Sequence, residues 1–132
     1  EAETEKRWAL NALARVNTDR ALKVAFEYAA PEAKSQYLRE SAIGSLGRYS
    51  YREEIVTRLE GIALDRDRAT IERKKAIDSF EHLHRMLMPE SPALKEVERR
   101  LQLLDQRDLE DQELRMRIDS VMRSIESEAD ER

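Results

Sequence analysis

Ala9-Leu10-Asn11-Ala12-Leu13-Ala14-Arg15 and Ala42-Ile43-Gly44-Ser45-Leu46-Gly47-Arg48 are two copies of one pattern. Each opens on alanine and an aliphatic residue, returns to leucine one turn later and closes on arginine. Ala76-Ile77-Asp78-Ser79-Phe80 is a third copy, and the step from Ala42 to Ala76 is one position longer than that from Ala9 to Ala42. Large apolar residues spaced in this way share one face of an α-helix. A second helix repeats with the first. Leu22, Phe26 and Ala29 recur as Ile55, Leu59 and Ile62 at the same step that separates Ala9 from Ala42. They recur again as Val97, Leu101 and Leu104, after a step stretched by the Pro89–Pro92 loop. Ile118-Asp119-Ser120-Val121 echoes Ile77-Asp78-Ser79-Phe80 once more. A helix bundle with coincidental spacing is the alternative, and matches in both helices of a pair disfavour it. A lone hairpin cannot bury both its faces, and stacking hairpins makes one continuous core. The sequence therefore predicts an all-α chain. Its expected architecture is an α-α superhelix, a right-handed solenoid of about seven antiparallel helices.

Working outward, the punctuation sets the units. Asn17-Thr18-Asp19 breaks the first helix and offers cap oxygens to the second. Pro31 ends the second, because the residue before proline avoids the helical region. Helix three is expected from about Ser35 to Tyr49, and Ser50 with Glu53 reads as a capping box opening helix four. Asp65-Arg66-Asp67 is the next turn. Helix five spans about 69–88, and Ser91-Pro92 gives helix six an N-cap followed by proline. Helix seven is expected from about Asp108 to Glu126, with a frayed, charged tail. The repeat units fall at 4–30, 35–65 and 69–105, and 108–126 closes a single domain, 1–132.

These units resemble HEAT repeats, antiparallel helix pairs with an Ala-aliphatic-x-x-Leu core in the first helix. The resemblance spans about residues 6–126. A narrower one rests on Ala21-Leu22-Lys23-Val24-Ala25-Phe26-Glu27-Tyr28-Ala29, then Tyr37-Leu38-Arg39-Glu40-Ser41-Ala42-Ile43-Gly44-Ser45-Leu46-Gly47-Arg48, and Arg115-Met116-Arg117-Ile118 in the final helix. In pattern and order it is similar to the C-terminal HEAT-like region of bacterial and archaeal aminopeptidase N-type zinc peptidases. That resemblance implies an accessory region that packs behind a catalytic domain and helps close its substrate chamber.

Composition fits this reading. The 132 residues hold 24 Lys plus Arg against 28 Asp plus Glu, a net charge of −4, with three glycines and three prolines. So few turn formers disfavour a β-sandwich. No apolar run is long enough for a membrane span. With no cysteine there is no disulfide, thiolate nucleophile or Cys-based metal site. The opening Glu1-Ala2-Glu3 lacks Met, a basic segment and an apolar run, so no signal peptide is read. Its immediate entry into a helical pattern suggests a fragment or processed product, and the expected compartment is cytoplasmic.

No constellation for chemistry emerges. The zinc-peptidase motif His-Glu-x-x-His is absent. His82 and His84 are two residues apart, on nearly opposite sides of a helix, so they cannot share a metal. His82 is expected to meet Asp78, and His84 to sit at a boundary. Glu54/Arg58, Glu81/Arg85, Glu96/Arg100, Glu113/Arg117 and Asp119/Arg123 read as i, i+4 ion pairs on solvated faces. Gly44-x-x-Gly47 lies mid-helix, so it reads as close helix packing rather than a phosphate loop. Arg73, Lys74, Lys75, Arg99 and Arg100 could form a basic ridge for nucleic acid. Flanking acids and missing aromatics make a solvated face the better reading. Trp8, Ala12, Val24 and Tyr28 lie off the buried stripes of the first hairpin and mark a second apolar surface. Trp8, Tyr49 and Tyr51 are the aromatic candidates for contact with a neighbour. The expected function is a non-catalytic scaffold for protein partners, with no cofactor, metal or membrane role and a weak homodimer through the N-terminal end.

Overall fold

The computed structural model describes residues 2–131; Glu1 and Arg132 lie outside the described residues. Among them there are seven helices and no strand: α1 (Ala2–Val16), α2 (Asp19–Ala29), α3 (Gln36–Leu46), α4 (Glu53–Leu64), α5 (Thr70–Met86), α6 (Pro92–Gln106) and α7 (Gln112–Glu131). The chain is all-α. No helix among the described residues is long and apolar enough to cross a membrane.

Local chemistry explains most boundaries. Thr18 caps α2 by accepting from the Ala21 N–H, Ser35 caps α3 through Leu38, and Ser91 caps α6 through Ala93 with Pro92 in the first turn. Three expectations fail. Helix three ends at Leu46, short of the expected Tyr49. Ser50 caps nothing: α4 begins after Arg52, which has no side-chain cap, and Ser50 instead bonds Asn17 of the preceding unit through its N–H and hydroxyl. Helix seven starts later than Asp108. Asp108 accepts from the Glu110 N–H and Glu110 is left-handed at φ 62°, so the chain turns before Asp111 caps the helix through Glu113 and Leu114. The helix then persists to Glu131, past the expected fray at Glu126.

The odd helices touch in series, α1 on α3, α3 on α5 and α5 on α7. Polar contacts fix their direction. Glu3 meets Ser35 near the start of α1 and α3, Arg7 meets the Tyr37 hydroxyl at 3.1 Å, and Asn17 meets Ser50 past their ends. Between α3 and α5, Arg39 meets Glu72 early and Gly47 meets His82 late. Between α5 and α7, Thr70 meets Asp111, Lys74 meets Glu113 and Asp78 meets Arg117. Contacts that advance together along both helices require parallel helices. The even helices pack against this row: α2 on α1 and α3, α4 on α5, α6 on α5 and α7, with α4 also on α6.

The core follows the repeat in the second and third units and departs from it in the first. Ala42, Ile43, Leu46, Ala76, Ile77 and Phe80 are all buried. In α1, however, Leu10 and Ala14 are buried, Leu13 is half-buried, and Ala9 and Val16 are exposed. The helical face that Ala9, Leu10, Leu13 and Val16 share by their spacing is thus only partly covered. The cause is position: α1 has helices on one side only. Phe26 is also only half-buried, its ring covered by the Arg58 guanidinium 4.5 Å from the centroid.

The two glycines of Gly44-x-x-Gly47 play different parts. A Cβ on Gly47 would meet the Ser79 backbone oxygen at 2.7 Å and its Cα at 2.9 Å, whereas one on Gly44 would meet nothing within 4 Å. Only Gly47 has the close-packing role expected of both. Three substitutions check this. Gly47→Ala should destabilise by about 1–3 kcal/mol through backbone collision. Gly44→Ala should stabilise by about 0.5–1 kcal/mol through helix propensity. Leu46→Ala should cost about 2–5 kcal/mol as a buried truncation. Urea unfolding of the three variants measures each, and equal effects at the two glycines would contradict this packing.

Candidate functional site

The surface that stands out is the outer side of α1. Positions one repeat apart are equivalent, so each residue of α1 can be compared with its counterparts in α3 and α5. Ala9 is exposed where Ala42 and Ala76 are buried, and Ala12 is exposed where Ser45 and Ser79 are buried. Val16 is 61% exposed where Tyr49 is 3% and Leu83 1%. The side left open on α1 is therefore the side that the preceding helix covers on α3 and α5. Trp8, 71% exposed, lies on the same side.

Of the four residues expected on a second apolar surface, Trp8 and Ala12 are open to solvent. Val24 and Tyr28 on α2 are half-buried, and Tyr28 packs against the core. The apolar surface accordingly narrows to α1. Val16 completes it: its spacing from Ala9 and Leu13 places it on the stripe side of α1, yet it is exposed. Tyr49 is core, its buried hydroxyl raised in pKa by desolvation, and Tyr51 packs against the core.

The basic runs do not form a ridge. Arg73 is buried and its Nε donates to the Ala63 carbonyl at 2.8 Å. Lys74 lies 3.8 Å from Glu113. Arg99 and Arg100 both bind Glu96, at 2.7 and 2.8 Å, and Arg100 also reaches Glu60 of α4 at 3.2 Å. The i, i+4 pairs Glu81/Arg85 and Glu96/Arg100 form as expected. Others change partners: Arg58 lies over Phe26 of α2 and Arg117 turns to Asp78 of α5, while Asp119 takes Arg115 one turn earlier on α7 itself. A cross-helix partner is already held in place, and so competes well with a flexible one on the same helix.

Several polar contacts were not legible in the sequence. Glu72 is buried and receives Arg39 of α3 at 3.2 Å and Arg68 at 3.1 Å. His84 is buried rather than at a boundary, with Glu98 at 2.9 Å and Glu128 at 3.4 Å on its two ring nitrogens. His82 donates from Nδ1 to the Gly47 carbonyl at 2.8 Å and not to Asp78. Among the described residues, no group of three His, Asp or Glu could hold a metal ion. One cavity, of about 510 Å³, opens between α1 and α5 beyond the end of α3 and is lined by Asn11, Ala14, Arg15, Arg48, His82 and Met86.

No family model, curated protein or solved structure matches the chain.

Two carboxyls stand below their usual range. Hydrogen bonds from Arg99, then Arg100, hold Glu96 at about 2 instead of 4.5. The Thr70 hydroxyl, then the Leu114 and Glu113 N–H groups, lower Asp111. A depressed carboxyl stabilises the fold above its unfolded pKa, and that contribution is lost as pH falls through the folded value. For Glu96 the loss should run from about pH 4.5 down to about 2. Carboxyl ¹³C NMR should give a Glu96 midpoint near 2, and Arg99→Ala should move it upward. A midpoint near 4.5 in the unsubstituted protein would show that the clamp does not hold in solution.

Proposed function

We propose that this chain is a non-catalytic helical scaffold, a HEAT-like α-α superhelix that binds another protein through the N-terminal end of its row of helices. The observation that carries this reading is the contrast between Val16, 61% exposed, and its buried counterparts Tyr49 and Leu83. The repeat itself indicates the occupant: a helix lying parallel on α1, as α1 lies on α3. Such a helix would cover Trp8, Ala9, Ala12 and Val16 together. An aminopeptidase N-type parent, which the sequence pattern resembles, is one source of that helix. A His-Glu-x-x-His motif upstream in the parent reading frame would support this origin.

A nucleic-acid-binding role is the weaker reading. Arg73 is committed to a backbone carbonyl inside the protein, and Arg99 and Arg100 share one carboxylate. No continuous line of unpaired cations is left among these residues for a phosphate backbone.

In the absence of its partner, the open face of α1 should pair with a second copy. Sedimentation velocity should show a reversible dimer, and Trp8→Glu with Val16→Glu should abolish it without unfolding the chain, because both side chains are exposed. Leu103→Glu, on an exposed position of α6 remote in sequence, should leave the dimer intact. Trp8 is the single tryptophan, so its fluorescence reports the same event: burial in the dimer shifts emission to shorter wavelength. A wild type that stays monomeric at high concentration, with Trp8 freely quenched by iodide, would count against this use of the face.

A further inference from the structure

We propose that the cavity at the C-terminal end of α3 is a binding site for a phosphate monoester, held by Arg15, Arg48 and His82. The cavity exists because α3 is short. Its last residue, Leu46, is equivalent to Leu13 and Phe80, but α1 continues three residues further, to Val16, and α5 six further, to Met86. The missing turn leaves a hollow of about 510 Å³ between its neighbours.

The repeat puts like residues around that hollow. Arg15, Arg48 and His82 occupy equivalent positions in three successive units, and all three line it. Most arginines of this chain are engaged with carboxylates, carbonyls or aromatic rings. Arg15 and Arg48 are exposed, and neither side chain makes an ion pair or hydrogen bond among the described residues. No acidic residue lines the cavity, although acids outnumber bases in the chain. Each arginine lies close to a helix C terminus, whose partial negative charge amounts to about half a unit. A full guanidinium charge exceeds that, so the hollow keeps a positive excess.

The chemistry of the ligand follows from the donors and the walls. A guanidinium offers two parallel N–H groups, so two of them suit an oxyanion with several terminal oxygens. The Gly47 carbonyl fixes the His82 proton on Nδ1, leaving Nε2 to accept from an ester hydroxyl or, when protonated, to donate to a phosphate oxygen. Ala14 and Met86 supply an apolar wall, and the volume exceeds what a bare phosphate fills. An organic phosphate monoester satisfies both parts. A small phosphorylated metabolite and a phosphorylated serine side chain share this chemistry.

The test uses the arginine Nε–Hε signals of the whole chain in ¹⁵N NMR, at a fixed ionic strength of about 0.1 M. Glycerol 3-phosphate is titrated in one arm and a short phosphoserine peptide in another. Saturable shifts at Arg15 and Arg48, with Arg20 and Arg123 unmoved, are expected, and the tighter ester names the source. Arg48→Gln and Arg15→Gln should each weaken binding by roughly ten-fold or more, as loss of a charged hydrogen-bonding partner implies. Both residues are exposed, and an unchanged circular dichroism spectrum confirms folding. The proposal is overturned if neither ester gives saturable shifts, if Arg20 and Arg123 respond equally, if acetate binds as tightly, or if the substitutions leave affinity unchanged.

Discussion

The backbone of Gly47 lies against Ser79 with no room between them for a methyl group. That approach sets the position of α3 on α5, and much of the molecule follows from it. At this distance the Ser79 hydroxyl reaches the Ile43 carbonyl at 2.7 Å, and His82 reaches the carbonyl of Gly47 itself. Both contacts satisfy oxygens that the end of a helix leaves without an intrahelical donor. Further toward the helix starts, the same parallel alignment brings Arg39 to Glu72. A larger residue at position 47 would push these helices apart and loosen every one of these contacts.

Polar side chains then fix each joint of the row. Asn17 adopts a left-handed conformation, φ 59°, which asparagine tolerates, and its Oδ1 accepts from the Ser50 N–H and from Arg52. Arg52 also pairs with Asp19 at 2.9 Å. At the next joint, Glu72 is shared by Arg39 and Arg68. Burying Glu72 and Arg68 costs desolvation that pairing only partly offsets, so the main effect of that cluster is on which alignment is allowed. Apolar helix faces can slide by a turn with little loss, whereas a buried carboxylate cannot be left without its partners. The joints therefore set alignment, while the apolar stripes supply most of the cohesion.

The repeat made the interior legible. Ala42, Ile43, Leu46, Ala76, Ile77 and Phe80 could be placed in the core from spacing alone, because each lies in a helix with neighbours on both sides. Ala9 and Val16 could not, since periodicity identifies a face without saying whether anything covers it. Arg73 and His84 were misread for another reason. A charged residue in a polar run looks solvated, and only the tertiary structure brings the Ala63 carbonyl to one and Glu98 and Glu128 to the other. Ser50 failed as a cap because Asn17, one full repeat earlier in the sequence, offered it a better partner. The cavity had no sequence signal of its own. Its residues were visible as Arg15 and Arg48 at matching positions, but the spacing carried helix three on to Tyr49, and the stop at Leu46 that opens the space had no signal in it.

The two ends of the row differ, and the difference bears on where a further helix could stack. At the far end, α7 buries Leu114, Ile118, Val121 and Ile125, while Glu113, Asp119, Ser120, Arg123 and Glu126 are exposed, with Met116 the large apolar residue among them. Arg115 pairs with Asp105 and Asp119 on that side and ties α7 back to α6. A surface with this many charges would lose hydration if another helix covered it. At the near end, Trp8, Ala9, Ala12 and Val16 face water with little charge between them, although Glu5 and Arg15 flank them. A helix added there would bury apolar surface and meet few charges. Stacking is thus favourable at one end and opposed at the other, which favours attachment in a single direction.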